Sequence, residues 1–309
     1  MMKSLFRACS RSHLKNDLPT QWRKTLVLMI RKAGNPENPA AFTMPAIRIN
    51  IMLPTLVIFS FLGGWPFTIF VAVVLLLAAW ELWRLFDKGF YSPSLLVMGI
   101  FVPLAVILRH LFGFNYSDVW FAALVLAAMF FHVLQQQRGG KTAAIDFMIT
   151  IGGSLYLGWL GSYAVSLRGL ESGLYWILLV FPIISLADSG AYIFGRLLGK
   201  HKMLPRVSPK KTWEGYLGGI VVGTLGGLGL AALWHTVAPN LLAWHGLVLG
   251  AVISTLAPFG DYGESMIKRQ FSAKDSGHFL LEHGGFLDRM DSSLWAAAIG
   301  YYLVIILLR

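Results

Sequence analysis

Residues 174–200 read LYWILLVFPIISLADSGAYIFGRLLGK, an apolar run that carries one carboxylate, Asp188, and stops at a basic flank. About 20 predominantly apolar residues are enough for a helix to cross the hydrocarbon core of a bilayer. A charged side chain inside such a span costs about 3 kcal/mol or more unless it faces protein, water or a cation, so Asp188 is a functional candidate. Ser189 and Gly190 beside it predict a bent or widened helix with room for a polar cavity.

The rest of the chain repeats the pattern. Hydrophobic residues make up 56% of the 309 and charged residues only 13%, against roughly 25% charged in a soluble domain. Candidate spans fall near residues 49–64, 65–86, 93–112, 117–135, 143–166, 172–198, 214–235, 241–260 and 290–308. The expected fold is therefore all-α: a polytopic membrane protein of about nine transmembrane helices. The first span is short, with Gly63, Gly64, Trp65 and Pro66 marking a tight turn, and a re-entrant segment reads equally well. Three regions are expected: a basic extension over 1–48, N-terminal helices over 49–170 and a catalytic membrane region over 171–309. The spacing of glycines in GYLGGIVVGTLGGLGLAA predicts close helix contacts and permits a homodimer.

Lysine and arginine outnumber acids by 26 to 15. The alternate loops that hold all of them except Arg109, Arg168 and Arg309 would share one side, which by the positive-inside rule is cytoplasmic. The excess thus reads as topology and attraction to a lipid surface, with no nucleic acid as partner. This places the N-terminus in the cytoplasm and the C-terminus outside, with an odd number of spans. The single cysteine, Cys9, excludes an internal disulfide and a cysteine-rich metal site. No apolar core with a small-residue cleavage site precedes Arg48, so a removable signal peptide is not expected. Residues 22–32 mix basic and aliphatic side chains, as an interfacial helix on anionic lipid does, and read equally as a loosely ordered tail.

Two charged loops fall on the same side. In GRLLGKHKMLPRVSPKKTWEGYLGG, Ser208, Lys210 and Lys211 precede a helix opening near Thr212, whose free amides and lysines offer a phosphate site; the same basic residues also read as ordinary cytoplasmic decoration. In SMIKRQFSAKDSGHFLLEHGGFLDRMD, residues 265–291, and at Asp261 upstream, carboxylates offer oxygen ligands to hard divalent cations, basic groups offer phosphate contacts, and glycines permit close backbone approach. Glu81 and Arg84, flanked by Trp80 and Trp83, read as an interfacial anchor pair. His110, His132, His235 and His245 read as interfacial; His283 alone keeps chemical company.

The second loop resembles the signature of the phosphatidate cytidylyltransferase (CDP-diacylglycerol synthase) family. Ser265, Lys268, Arg269, Lys274, Asp275, Gly277, His283, Gly284, Gly285, Asp288, Arg289 and Asp291 match at the family spacing. The stretches 188–192, 195–202, 207–215 and 260–261 are similar too, as is Ala78-Ala-Trp-Glu81. The chain departs from the pattern at Leu281 and Glu282, where a turn-former is lost and a negative charge gained.

The resemblance implies transfer of CMP from CTP to phosphatidate at a cytoplasmic-face active site in a bacterial inner membrane. Its implied cofactor is Mg2+ or another divalent cation, with room for a second. The implied metal ligands are Asp261, Asp288 and Asp291, with Asp275 and Asp188 as further or supporting ligands. Lys268, Arg269, Lys274 and Arg289 would hold the phosphates of CTP and lipid. His283, Gly284 and Gly285 would form a phosphate-contacting turn, helped by Ser208, Lys210 and Lys211, with Ser265 beside them. Three rivals remain open: a related CTP-dependent transferase acting on another lipid phosphate, a membrane transporter built around Asp188, and a weakened paralogue serving as a binding protein.

Overall fold

Gly63 and Gly64, both at positive φ (62° and 47°), end the first helix, α1 (Met52–Leu62), after 11 residues. At 1.5 Å per residue it covers about half of a hydrocarbon core roughly 30 Å thick. The computed structural model describes residues 52–271 and 285–308, and within them eight further helical stretches are long and apolar enough to cross a membrane. Eight of the nine expected spans are therefore full-length, and the first is a short helix running into a glycine turn. The chain is an all-α, multi-pass membrane protein.

The crossing helices are α2 (Gly64–Asp87), α3 (Leu95–Phe112), α4 (Ser117–Gln137), α5 (Ala143–Arg168), α6 (Gly173–Leu197) and α7 (Trp213–Trp234). Then come α8 (Ala243–Leu256), continued by α9 (Pro258–Gln270), and α10 (Leu287–Leu307). Between α6 and α7 stands a two-stranded antiparallel hairpin, β1 (Lys202–Leu204) and β2 (Ser208–Thr212). Thr212 caps α7 by accepting a hydrogen bond from the Gly215 amide, so the helix opens where its sequence predicted. The main core draws on α2, α3, α5, α6, α8 and α10, with Phe67, Leu75, Met98, Leu157, Trp176 and Leu249 fully buried, and a second, smaller core with Phe101, Trp120 and Leu124 lies between α3 and α4.

One end of the bundle is basic and the other nearly bare. At the bare end Arg168 donates to the Ser60 carbonyl (2.8 Å) and Ser172 to Asn240 (3.0 Å). At the basic end Arg269 donates to the Val207 carbonyl (3.2 Å) and the Leu287 amide to Glu81 (2.9 Å). Arg109 and Arg168 are the described basic residues that fall outside the basic end.

Helices α6, α7 and α8 pack backbone to backbone. A Cβ at Gly219 would stand 2.8 Å from the Ala187 carbonyl oxygen, and one at Gly227 would stand 2.4 Å from that of Gly246. The glycine faces expected from sequence are thus used within this chain. Gly190 serves the same end: its missing side chain admits Val222, and α6 runs on as an unbroken helix past Asp188 where a bend or widening was expected.

Two other expectations change. The segment from Asp261 was expected to be loop, but Pro258 opens a new helix at its first position and α9 carries the chain to Gln270. His132 and His245, expected at the interface, are each 3% exposed. His132 joins a buried polar network with Thr150 (2.8 Å) and Gln135, and Gln135 in turn donates to Asp146 (2.9 Å).

Candidate active site

Helix α9 is amphipathic because its polar residues recur at helical spacing: Asp261, Glu264, Ser265 and Lys268 lie three or four positions apart and share one face. That face is presented to the start of α10, where Asp288 and Asp291 lie three apart on the first turns, as expected if the helix had begun there. Gly260 sets the approach. A Cβ on it would lie 2.3 Å from the Asp291 carbonyl oxygen and 2.8 Å from Trp295, so only glycine lets α9 close on α10.

Lys268 is the first hub. Its ammonium pairs with Asp288 and stands 3.3 Å from Glu264, one turn earlier on the same helix. Glu264 is 1% exposed, and the ammonium of Lys268 is the cation beside it. Asp288 also accepts the Gly285 amide (3.0 Å). Lys211 is the second hub. From strand β2 it pairs with Asp261 and lies 4.4 Å from the Tyr262 ring centre. Arg269 holds the hairpin turn to α9 through the Val207 carbonyl.

Beside the second hub opens a cavity of about 490 Å3. Asp188 lines it from α6, Ser208, Lys210 and Lys211 from the hairpin, and Tyr216 and Tyr262 from α7 and α9. Asp188, expected from its depth in an apolar run, is exposed to this cavity. It interacts electrostatically with Lys211 and Asp261, and Asp291 with Asp261 and Asp188. Residues distant in sequence thus meet in one place.

Not every expected role survives in this arrangement. Among the described residues, no three His, Cys, Asp or Glu side chains stand where they could hold one metal ion. Asp261 and Asp288 face different lysines, and Asp291 accepts the Ser292 amide, so the three expected ligands are not gathered around a common point. The donor chemistry nevertheless suits a hard cation: Asp188, Asp261, Glu264, Asp288 and Asp291 outnumber the two lysines paired to them. Lys268 and Gly285 are engaged by carboxylates, where phosphate contact was expected. Ser265 is 3.5 Å from Asp261. Lys274, Asp275, His283 and Gly284, like Leu281, Glu282 and residues 1–48, lie outside the described residues.

The Cytidylyltransferase family profile matches residues 46–307. The chain belongs to the cytidylyltransferase family. This cytidylyltransferase is 34% identical over 265 residues to a Staphylococcus haemolyticus protein named phosphatidate cytidylyltransferase, covering 84% of this chain and 96% of that one. A Staphylococcus aureus protein of the same name is 31% identical over 264 residues, with the same coverage. A Brucella suis protein, also so named, is 43% identical over 150 residues, covering 48% of this chain and 54% of its own length.

Two residues of this cytidylyltransferase's site escaped sequence reasoning. Glu81, taken for an interfacial partner of Arg84, is 1% exposed and accepts the Leu287 amide at the N-terminus of α10, while Arg84 lies 5.4 Å from the Trp80 ring centre. A carboxylate suits a helix N-terminus, where unpaired amides carry partial positive charge. Glu264 was overlooked beside Asp261, although its spacing from Lys268 was a readable i,i+4 signal.

Proposed function

We propose that this chain is a phosphatidate cytidylyltransferase, transferring CMP from CTP to phosphatidate to give CDP-diacylglycerol and pyrophosphate. The observation that carries the reading is the meeting of Asp188, Lys210 and Lys211 around one cavity at the basic end of a membrane bundle, with Asp261 paired to Lys211. The names of the relatives supply the reaction class and substrates. With the basic end cytoplasmic, CTP arrives from the side where it is made and phosphatidate from the surrounding bilayer. The nine Lys and Arg residues before residue 49 favour a cytoplasmic N-terminus, and the bacterial origin of the relatives favours a bacterial inner membrane.

Phosphatidate's phosphate monoester, with a second pKa of about 6, is largely dianionic at neutral pH and needs little activation as a nucleophile. A nonbridging oxygen of that phosphate attacks the α-phosphorus of CTP. The bond from this phosphorus to the oxygen bridging towards the β-phosphorus breaks, and pyrophosphate carries the electron pair away. The barrier is mutual repulsion of two polyanions, so cationic groups that neutralise and align them do most of the catalytic work. Lys210 and Lys211 hold the triphosphate at the cavity wall. Asp261 sets the position of Lys211, and Asp288 that of Lys268. A divalent cation carried by the triphosphate of CTP, with Asp261 as a protein ligand, would supply Lewis-acid charge neutralisation at the reacting phosphates.

Incubating purified protein with labelled CTP, magnesium and a panel of lipid phosphates tests the reading. Label is expected to appear in CDP-diacylglycerol with phosphatidate as acceptor. Label passing only to another lipid phosphate would reassign the acceptor, and solute flux without CTP consumption would make the protein a transporter.

A further inference from the structure

Asp188, Tyr192 and Arg196 follow one another at intervals of four on α6, so they form a single polar stripe along that helix. All three line the cavity of about 490 Å3. Tyr192 and Arg196 have no part in the site described so far. Arg196 stands in the last turn of α6, at the basic end, and its Nη1 donates to the Tyr192 hydroxyl oxygen (3.2 Å). Because that oxygen accepts, the phenol keeps its own proton for a further acceptor. A guanidinium carries five N–H donors in a planar fork, and one serves this bond. Among the described residues, no carboxylate pairs with Arg196.

Next round the helix from this stripe come Ile193 and Leu197, 50% and 75% exposed, and Tyr192 itself is 55% exposed. Exposed aliphatic side chains on a membrane-crossing helix face acyl chains. The stripe therefore runs along the border between the cavity and the bilayer, with Arg196 at the level of the lipid headgroups. The lysines of the cavity come from another element: Lys210 and Lys211 line it from the hairpin, and Lys211 is already paired with Asp261. Two phosphorylated substrates have to be held apart until they react. The cavity offers one cation group to the aqueous side and another to the lipid side.

We propose that Arg196, braced by the Tyr192 hydroxyl, is the binding residue for the phosphate monoester of the acceptor lipid, while Lys210 and Lys211 serve the nucleotide. A guanidinium fork matches two oxygens of one phosphate, and the phenol proton can meet a third. The acyl chains then lie outside, along Ile193 and Leu197. The inference rests on the cytidylyl-transfer reading, because it names which substrate this wall of the same cavity takes.

The test is Arg196→Gln in the full-length protein, assayed in detergent mixed micelles of varied phosphatidate content beside wild type, Arg196→Lys and Arg84→Gln. Arg84 is an exposed arginine at the same end that lies against Trp80 and does not line the cavity. Losing a charge-assisted hydrogen bond costs about tenfold to hundredfold in affinity. Arg196→Gln is expected to raise KM for phosphatidate by that factor with KM for CTP held, and to shrink the rise in melting temperature that phosphatidate produces over phosphatidylcholine without CTP. Arg196→Lys should recover part of the loss, and Arg84→Gln should match wild type. An unchanged KM for phosphatidate in Arg196→Gln overturns the proposal, as does a rise in KM for CTP of equal or greater size, or an equal rise in Arg84→Gln. If Arg196→Gln does not insert, Tyr192→Phe is read instead: a rise of about threefold to tenfold in KM for phosphatidate alone supports the proposal, and an unchanged KM overturns it. Wild type that transfers CMP to no lipid phosphate would sink the functional reading itself, an outcome distinct from an active wild type matched by Arg196→Gln.

Discussion

Lys211, on the hairpin between α6 and α7, forms an ion pair with Asp261, on the helix that prolongs α8. The pair joins the cavity wall to the carboxylate cluster. Lys211→Met removes the ammonium and leaves Asp261 without it, so kcat/KM for CTP is expected to fall about a hundredfold, judged from the loss of one preorganised electrostatic contact. Lys211→Arg keeps the charge and should recover part of the activity. A labelled-CTP assay on both variants decides, and full activity in Lys211→Met would remove this residue from the site.

Asp288→Asn keeps the side chain's shape but removes the charge that pairs with Lys268. Turnover should drop about a thousandfold or more, while the protein remains in the membrane fraction at wild-type amount. Retained turnover would take Asp288 out of the reaction.

Gly260→Ala places a methyl group against the Asp291 carbonyl. Pushing α9 off α10 should cost about 1–3 kcal/mol of stability, a drop of about 3–8 °C in melting temperature, together with most of the activity. Gly263→Ala meets nothing within 4 Å and is the matched control. Equal behaviour of the two variants would mean that the close approach is dispensable.

Glu81→Ala should cost about 1–3 kcal/mol through the buried Leu287 amide left without its acceptor, and should reduce activity by loosening the helix start that carries Asp288 and Asp291. Arg84→Ala should do little. Thermal melts and assays of the two compare an interior tie with a surface anchor, and the reverse ranking would restore the anchor.

Removing divalent cations with a chelator should abolish CMP transfer, and added magnesium should restore it. Activity that persists under chelation would leave Lys210, Lys211 and Lys268 to neutralise the phosphates alone.

Membrane spans were readable because bilayer thickness imposes a length on apolar runs, and alternate basic loops gave them a consistent direction. The shared face of Asp288 and Asp291 was readable only on the condition that α10 begins ahead of the expected span at 290, and it does begin at Leu287. Asp188 could be found because a carboxylate within a span is rarely idle. What stayed hidden depended on three-dimensional approach. The pairing of Glu81 with Leu287 spans 206 positions, and no local pattern announces it. Arg84 was the nearer partner by sequence, yet aromatic contact holds it elsewhere. The engagement of Lys268 by two carboxylates was also invisible, because a basic residue in a phosphate-binding signature looks the same whether it points to ligand or to protein.

The order of synthesis gives the α9–α10 contact a further meaning. Ribosomes deliver Asp288 and Asp291 after every other helix described, and until α10 enters the bilayer its amide at Leu287 cannot reach Glu81. A partly inserted chain therefore exposes Asp188, Lys211 and Asp261 without the carboxylates that complete the cluster. Nascent molecules should be silent towards nucleotide until insertion finishes, so membrane integration itself acts as the switch that commissions the enzyme.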